Sequence, residues 1–337
     1  MKPERFAEIS AQYPELRVAI VGDFCLDRYL EIDPGRPEIS LETGLPVHNV
    51  TRVRAQPGGA GTVLNNLVAL SVGEIIPVGV SGEDGEGWEL KEALRHKPRV
   101  NLEHWRSSAQ WQTFTYAKPL VMHPGRPPEE LNRLDKKNWR PLPTAAEQQM
   151  RESIHALAGR VNAFILLEQV DQPDTGVLTP AVLEEFRTVR QKWPDRLIFA
   201  DSRRGLKHFP PVIFKMNAAE LASLLALPHK PNLAEARQHA AGLARRQEQR
   251  VVVTLAEQGL LAAEPTGETY HVPSLPVRGE IDIVGAGDAV TANLAAALAA
   301  RAELPEALAI ANVAASIVIH QLGTTGTANP SQIFELL

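Results

Sequence analysis

Short runs rich in β-branched residues alternate with amphipathic stretches over most of this chain, and that rhythm limits its fold more than any other feature. "RVAIVGD" at 17–23, "EIIPVGVSG" at 74–82, "NAFILLE" at 162–168, "RLIFADS" at 196–202, "VIFKMN" at 212–217 and "RVVVTLA" at 250–256 read as strands. Between them, 60–71, 85–96, 179–193 and 232–247 read as helices. The strands are apolar on both faces, which suits a sheet covered on both sides. The expected class is therefore α/β with a mainly parallel central sheet. A length of 337 residues allows one large domain, or one domain with a small addition.

Two segments break the rhythm. About 28–55 and 105–135 mix polar and apolar residues with turn formers, as in "LETGLPVHNVTRV" and "WQTFTYAKPLVM". Long structureless loops are uncommon in compact domains. Both segments are therefore expected to form strands of a small second sheet lying over one edge of the main domain.

Composition excludes several classes. The formal net charge of -5 argues against nucleic acid or an anionic membrane surface as the main partner. The single cysteine, Cys25, allows no internal disulfide and fits a reducing, cytoplasmic setting; it follows an apolar run and reads as a buried, inert thiol. "MKPERFAEIS" has no apolar core of the kind a secretory signal carries. The longest apolar run starts at Ala289 and stops at Arg301, short of the roughly 18 residues a spanning helix needs. Neither HExxH nor CxxC occurs, so a structural zinc is not expected.

Ligands of open parallel sheets bind beyond the carboxyl ends of the strands. There this chain places Asp23 and Asp27, then "QVDQPDTG", "SRRG", "AAE" and "AEQG". No GxxxxGK[ST] loop occurs, and the first strand runs into "GDFCLD" rather than GxGxxG, which disfavours a P-loop or a dinucleotide site and hence a dehydrogenase. The main anion candidate is "GAGD", Gly285–Asp288, at the start of an Ala- and Leu-rich helix. A helix start offers free N–H groups and about half a positive charge. Gly285 and Gly287 let an anion approach without a Cβ in the way. The residues alone leave open a plain helix start with Asp288 as cap. They also leave Asn217 and Glu220 as either a metal-facing pair or a capping box.

Taken together, the motifs resemble the ribokinase-like (PfkB) carbohydrate kinases. "DIVGAGDAV" at 282–290 is similar to that family's second signature, and "PGGAGTVLNNLVAL" at 57–70 to its first. "NAAE" at 217–220 resembles its N-x-x-E motif, "VTLAEQG" at 253–259 its nucleotide-side loop, and "IANVAAS" at 310–316 the helix near the adenine. The resemblance implies a three-layer α/β/α sandwich with a β-sheet lid, one kinase domain over 1–337. It implies ATP and Mg²⁺, and leaves open a monovalent cation that some relatives need. Asp288 would be the general base and the Gly285–Ala286–Gly287 amides the anion hole for the γ-phosphoryl group. Asn217 and Glu220 would face Mg²⁺ through water; Thr254, Ala256, Gly259 and Asn312 would line the nucleotide. Asp27, Gly58, Gly59, Thr62 and Asn66 would meet the sugar.

Within the family, "VGDFCLDRYL", "PEISLETGLPVHNV" and "LNRLD" are similar to the heptose-7-phosphate kinases. A sugar phosphate needs basic partners, for which Lys118, Arg133, Arg203 and Arg204 are candidates. The lid segments would close over the sugar and pair between two subunits. The chain departs from the family at Thr62, Ala256, Ile283 and Val284, and "EQVDQPDTG" at 168–176 lacks an expected lysine. The expectation is an ATP-dependent kinase of a sugar or sugar phosphate; the alternative is a protein that keeps the fold and binds a sugar or nucleotide without transfer.

Overall fold

The computed structural model describes residues 1–337. Nine strands form the main sheet. From one edge to the other they are Thr269–Val272, Leu260–Ala263, Val251–Thr254, Ile213–Asn217, Leu197–Ser202, Ala163–Glu168, Arg17–Gly22, Glu74–Gly82 and Trp105–Ser108. All neighbours are parallel except the last two pairings beyond Val251–Thr254, which are antiparallel. Side chains alternate across the strands. Val18, Ile20, Ile165 and Leu167 face one core of 44 buried residues, while Ala19, Val21, Phe164 and Leu166 face another of 43. The two cores are nearly equal, which explains why these strands carry apolar residues at every position rather than at alternate ones. Helices Ala60–Ala69, Ala286–Ala299 and Leu304–Ile319 pack in the first core; helices Thr144–Ala158, Pro180–Lys192 and Leu233–Gln247 pack in the second. No helix is long and apolar enough to cross a membrane.

A second sheet is built from Phe24–Ile32, Val50–Gly59, Thr115–Val121, Glu129–Glu130 and Leu134–Lys136. It is wider at its start than the segments read from sequence, since it takes in Phe24 and runs on to Gly59. Trp105–Ser108 was expected there too, but it is the edge strand of the main sheet, with Trp105 opposite Gly79. The reason is packing: the Trp105 ring is buried edge-on against Phe24, centroids 5.2 Å apart. An edge strand and a strand of a half-exposed sheet show the same mixed polarity, so the sequence does not separate them.

Besides Phe24 and Leu26, which pack in the first core, polar contacts join the second sheet to the main domain, among them Arg28 with Glu89 at 3.4 Å. Lys136 Nζ donates to Asp84 Oδ2 at 2.7 Å, and Asp84 Oδ1 also accepts from Thr113 Oγ1 at 2.6 Å and caps the Gly85–Arg95 helix through Gly87 N–H. Gln56 Nε2 donates to Thr325 Oγ1 at 2.8 Å.

Candidate active site

Helix Ala286–Ala299 starts at the carboxyl edge of the main sheet. Its N-cap, Gly285, lies in the left-handed region at φ 84°, and no side chain caps the helix. Ala286 N–H reaches Ile283 O at 3.2 Å, whereas the N–H groups of Gly285, Gly287 and Asp288 meet no acceptor in the protein. Such an end presents donors and partial positive charge together. Asp288 stands in its first turn, with part of its surface open. Protein crowding raises the carboxyl to about 7, with Asp201 adding to the rise and Lys215 and Arg203 opposing it.

Beneath this turn lies a charge pair that the sequence reading missed. Lys215 Nζ donates to Asp201 Oδ2 at 2.7 Å, and Thr291 Oγ1 is 3.3 Å from the same oxygen. Strand alternation aims both charged residues at this helix: Phe199 and Ile213, two positions earlier, sit in the core on that face. The available signal was a charge inside an otherwise apolar strand, in "IFADS" and "IFKMN".

Asp27 and Lys118 stand on neighbouring strands of the second sheet. Lys118 Nζ is 3.7 Å from Asp27 Oδ1 and 4.9 Å from the centre of the Tyr29 ring. Burial raises the Asp27 carboxyl, and Lys118, Arg133 and Arg203 pull it down. Gly58 makes room for that carboxyl: a Cβ there would fall 2.5 Å from Asp27 Oδ2. Gly59, at φ 58°, lets the chain turn into the Ala60–Ala69 helix, and a Cβ would meet Asp23 O at 2.6 Å. Arg133 forks onto Asp135 at 3.0 and 2.7 Å and stacks 5.0 Å over Tyr116. Arg203 is exposed, and its charge works to lower the Asp27, Glu220 and Asp288 carboxyls alike. Arg204 turns away to Glu168 at 3.0 Å.

Several expected residues also make structural contacts. Thr62 and Asn66 do not reach the cleft surface: they are 2% and 0% exposed, and Asn66 Nδ2 donates to Thr62 O at 3.0 Å inside their own helix. Four residues apart, they share one face of a helix whose neighbours include Ala286–Ala299. Asn217 and Glu220 form a capping box: Asn217 Oδ1 accepts from Ala219 and Glu220 N–H at 2.9 Å each, and Glu220 Oε2 from Asn217 N–H at 2.7 Å. One Glu220 oxygen is left over, on a carboxyl raised chiefly by burial. No three His, Cys, Asp or Glu side chains cluster to hold a metal ion. A magnesium ion at Glu220 would fit only with water and phosphate oxygens completing its shell. Thr254 ends its strand. Ala256 takes φ 51° and Gly259 φ 89°, so the loop keeps a left-handed turn although alanine stands in it. Asn312 donates to Pro273 O at 2.8 Å and ties the Leu304–Ile319 helix to the segment after the last strand. Ile283 and Val284, just before Gly285, are 73% and 51% exposed.

A cavity of about 640 Å³ lies between the Pro180–Lys192 helix and residues 204–209. Of the expected site residues only Arg204 lines it. The titratable groups that act on one another instead gather in the cleft between the two sheets, which is the candidate site.

Comparison with known proteins bears on this cleft. The family described as pfkB family carbohydrate kinase matches residues 177–332. The chain is 31% identical over 308 residues to the bifunctional protein HldE of Azorhizobium caulinodans, covering 91% of this chain and 61% of that protein. It is 29% identical over 337 residues to the bifunctional protein HldE of Geotalea uraniireducens, covering 99% and 65%. The chain thus spans less than two thirds of the length of these relatives. Among solved structures, ribokinase of Arabidopsis thaliana complexed with ribose and ATP superposes with a TM-score of 0.68 at 18% identity, over 95% of this chain and 98% of that one. Phosphofructokinase-2 of Escherichia coli in complex with potassium gives 0.73 at 20%, over 95% and 99%. The fold is ribokinase-like.

Proposed function

We propose that this chain, whose residues 177–332 match the pfkB family of carbohydrate kinases, is a member of it and transfers the γ-phosphoryl group of ATP to a hydroxyl of a sugar or sugar phosphate. D-glycero-D-manno-heptose 7-phosphate is the foremost acceptor, on the likeness of 21–30 and 131–135 to heptose-7-phosphate kinases. The observation that carries the reading is Asp288 in the first turn of an uncapped helix start, beside three N–H groups without protein acceptors.

ATP, when bound, supplies the phosphoryl group, and Mg²⁺ the counter-charge to its phosphates. Asp288 takes the proton of the acceptor hydroxyl as its oxygen bonds to phosphorus. A carboxyl near 7 is matched to that task at neutral pH. The Gly285 and Gly287 amides meet the charge that develops on the transferring group, in a site that needs no rearrangement to receive it. Glu220, with Asn217, would hold Mg²⁺ through water. Thr254, Ala256, Gly259 and Asn312 would flank the nucleotide. Asp27 would accept hydrogen bonds from sugar hydroxyls, and Lys118, Arg133 and Arg203 would meet a substrate phosphate. The second sheet would act as a lid that keeps water from competing as acceptor.

ATP turnover across a panel of sugars and sugar phosphates, with Asp288→Asn as control, tests the reading. Turnover that survives in the variant removes Asp288 as base. The exposed Ile283 and Val284 favour a second reading, a binder that does not transfer; tight binding of ligand by calorimetry with no transfer to any acceptor would establish it. Two copies are expected to pair through their second sheets, and light scattering that finds only a monomer removes that pairing. Titrating potassium into the assay decides the monovalent-cation requirement.

A further inference from the structure

Lys215 is the only buried lysine, 7% exposed, and a lysine is seldom buried unless paired. Asp201 supplies the pair at 2.7 Å. Of the three protons an ammonium donates, only that one meets an acceptor in the chain. The same ammonium stands behind the helix start: a Cβ built on Gly287 would lie 2.9 Å from Lys215 Nζ, the only atom it would crowd. Gly287 is thus small on the side of the lysine, and its close approach belongs to the protein as well as to any ligand. Thr291, one turn further along the helix, holds Asp201 from above, so the pair is fastened to the element it charges. Burial works against the charged form, yet Asp201, then Asp288 and Glu220, keep the ammonium's pKa above its ordinary value.

We propose that Lys215, held by Asp201, is a positioning residue for phosphoryl transfer, whose ammonium is the fixed positive charge backing the Gly285–Gly287 anion hole. It adds a full charge where the helix start offers about half of one. Its burial means it does not have to be drawn in or desolvated when the anion arrives. The inference rests on the phosphoryl-transfer reading of that helix start.

The test uses Lys215→Met, which keeps the volume and removes the charge, and the double variant Asp201→Asn with Lys215→Met, which leaves no bare carboxylate behind. Inorganic tripolyphosphate, binding to the full chain without acceptor, is measured by calorimetry. Both variants are expected to bind it at least about tenfold more weakly, the loss of one charged donor. With acceptor present, kcat should fall by about 10²-fold while the acceptor KM stays within about twofold, because Asp27 and Lys118 are untouched. A purely structural role would lower the melting temperature and leave tripolyphosphate binding per folded molecule unchanged; that result in the double variant overturns the proposal. If the single variant does not fold, Gly287→Ala decides, since its methyl displaces the ammonium: tripolyphosphate binding equal to that of the unaltered chain would also overturn it. An unaltered chain that transfers to no acceptor ends the transfer reading, while tripolyphosphate binding still judges Lys215.

Discussion

The first turn of the Ala286–Ala299 helix rests on strands buried on both faces, whereas the second sheet has an edge strand whose Val50, Thr51, Arg52 and Val53 are all exposed. One side of the cleft is part of the core; the other joins it through Phe24 and Leu26 and is exposed along its outer strand. The difference shows in what surrounds each candidate residue. On the core side, Gly287 lies against the Lys215 ammonium, while Ile283 and Val284, just before Gly285, are exposed. On the second sheet, Gly58 lies against the Asp27 carboxyl, which Lys118 approaches at 3.7 Å.

The comparison can be broken most directly at Asp288. Asp288→Asn should lower kcat by about 10²–10⁴-fold and leave acceptor binding by calorimetry nearly unchanged; a loss of binding instead would put Asp288 on the acceptor side. In the unaltered chain, kcat should rise with pH through about 7, as the base form of Asp288 fills. A flat profile between pH 6 and 8 would remove that carboxyl from the rate.

Next in size is Gly58→Ala, which drives a methyl against Asp27 Oδ2. Acceptor KM should rise by about 10–10²-fold with tripolyphosphate binding unchanged, because only the second sheet is displaced. A matching loss of tripolyphosphate binding would show the two sides to be one rigid unit.

The tether at Asp84 comes third. Burial would raise its carboxyl, but Lys136 and Thr113 hold it down to about 2. A carboxyl depressed in the folded state stabilises it above the unfolded value near 4, and loses that contribution as pH falls through about 2. Asp84→Ala should cost about 1–2 kcal/mol in urea unfolding at pH 7, with the difference shrinking toward pH 2. The smallest effect is expected at Ala256, whose φ of 51° is strained for alanine. Ala256→Gly relieves about 1–2 kcal/mol and costs part of it in unfolded-chain entropy, leaving a gain under about 1 kcal/mol by thermal unfolding.

Much of the fold was legible because its signals are local. Strands read at 74–82 and 162–168 appear as Glu74–Gly82 and Ala163–Glu168, and the helix read at 232–247 as Leu233–Gln247. The antiparallel strands Leu260–Ala263 and Thr269–Val272 escaped, being only four residues each. In the site, Gly285–Asp288 could be read because an anion-binding helix start is a property of four consecutive residues. The burial of Thr62 and Asn66 could not, because it depends on elements far away in the chain that cover their helix. Asn217 and Glu220 were legible as a pair but ambiguous, since a capping box and a metal-facing pair share one spacing.

By itself, then, the sequence determined the alternation of strand and helix, the two-sided burial of the main sheet, and the glycines and acid that open the Ala286–Ala299 helix. Only the tertiary structure decided that Trp105 closes the main sheet, that Asn66 is shut inside, and that Lys215 and Asp201 stand under Gly287. The periods of strand and helix say which face of its own element a residue takes. They do not say which distant element will cover that face, and the charge around Asp288 depends on that second fact.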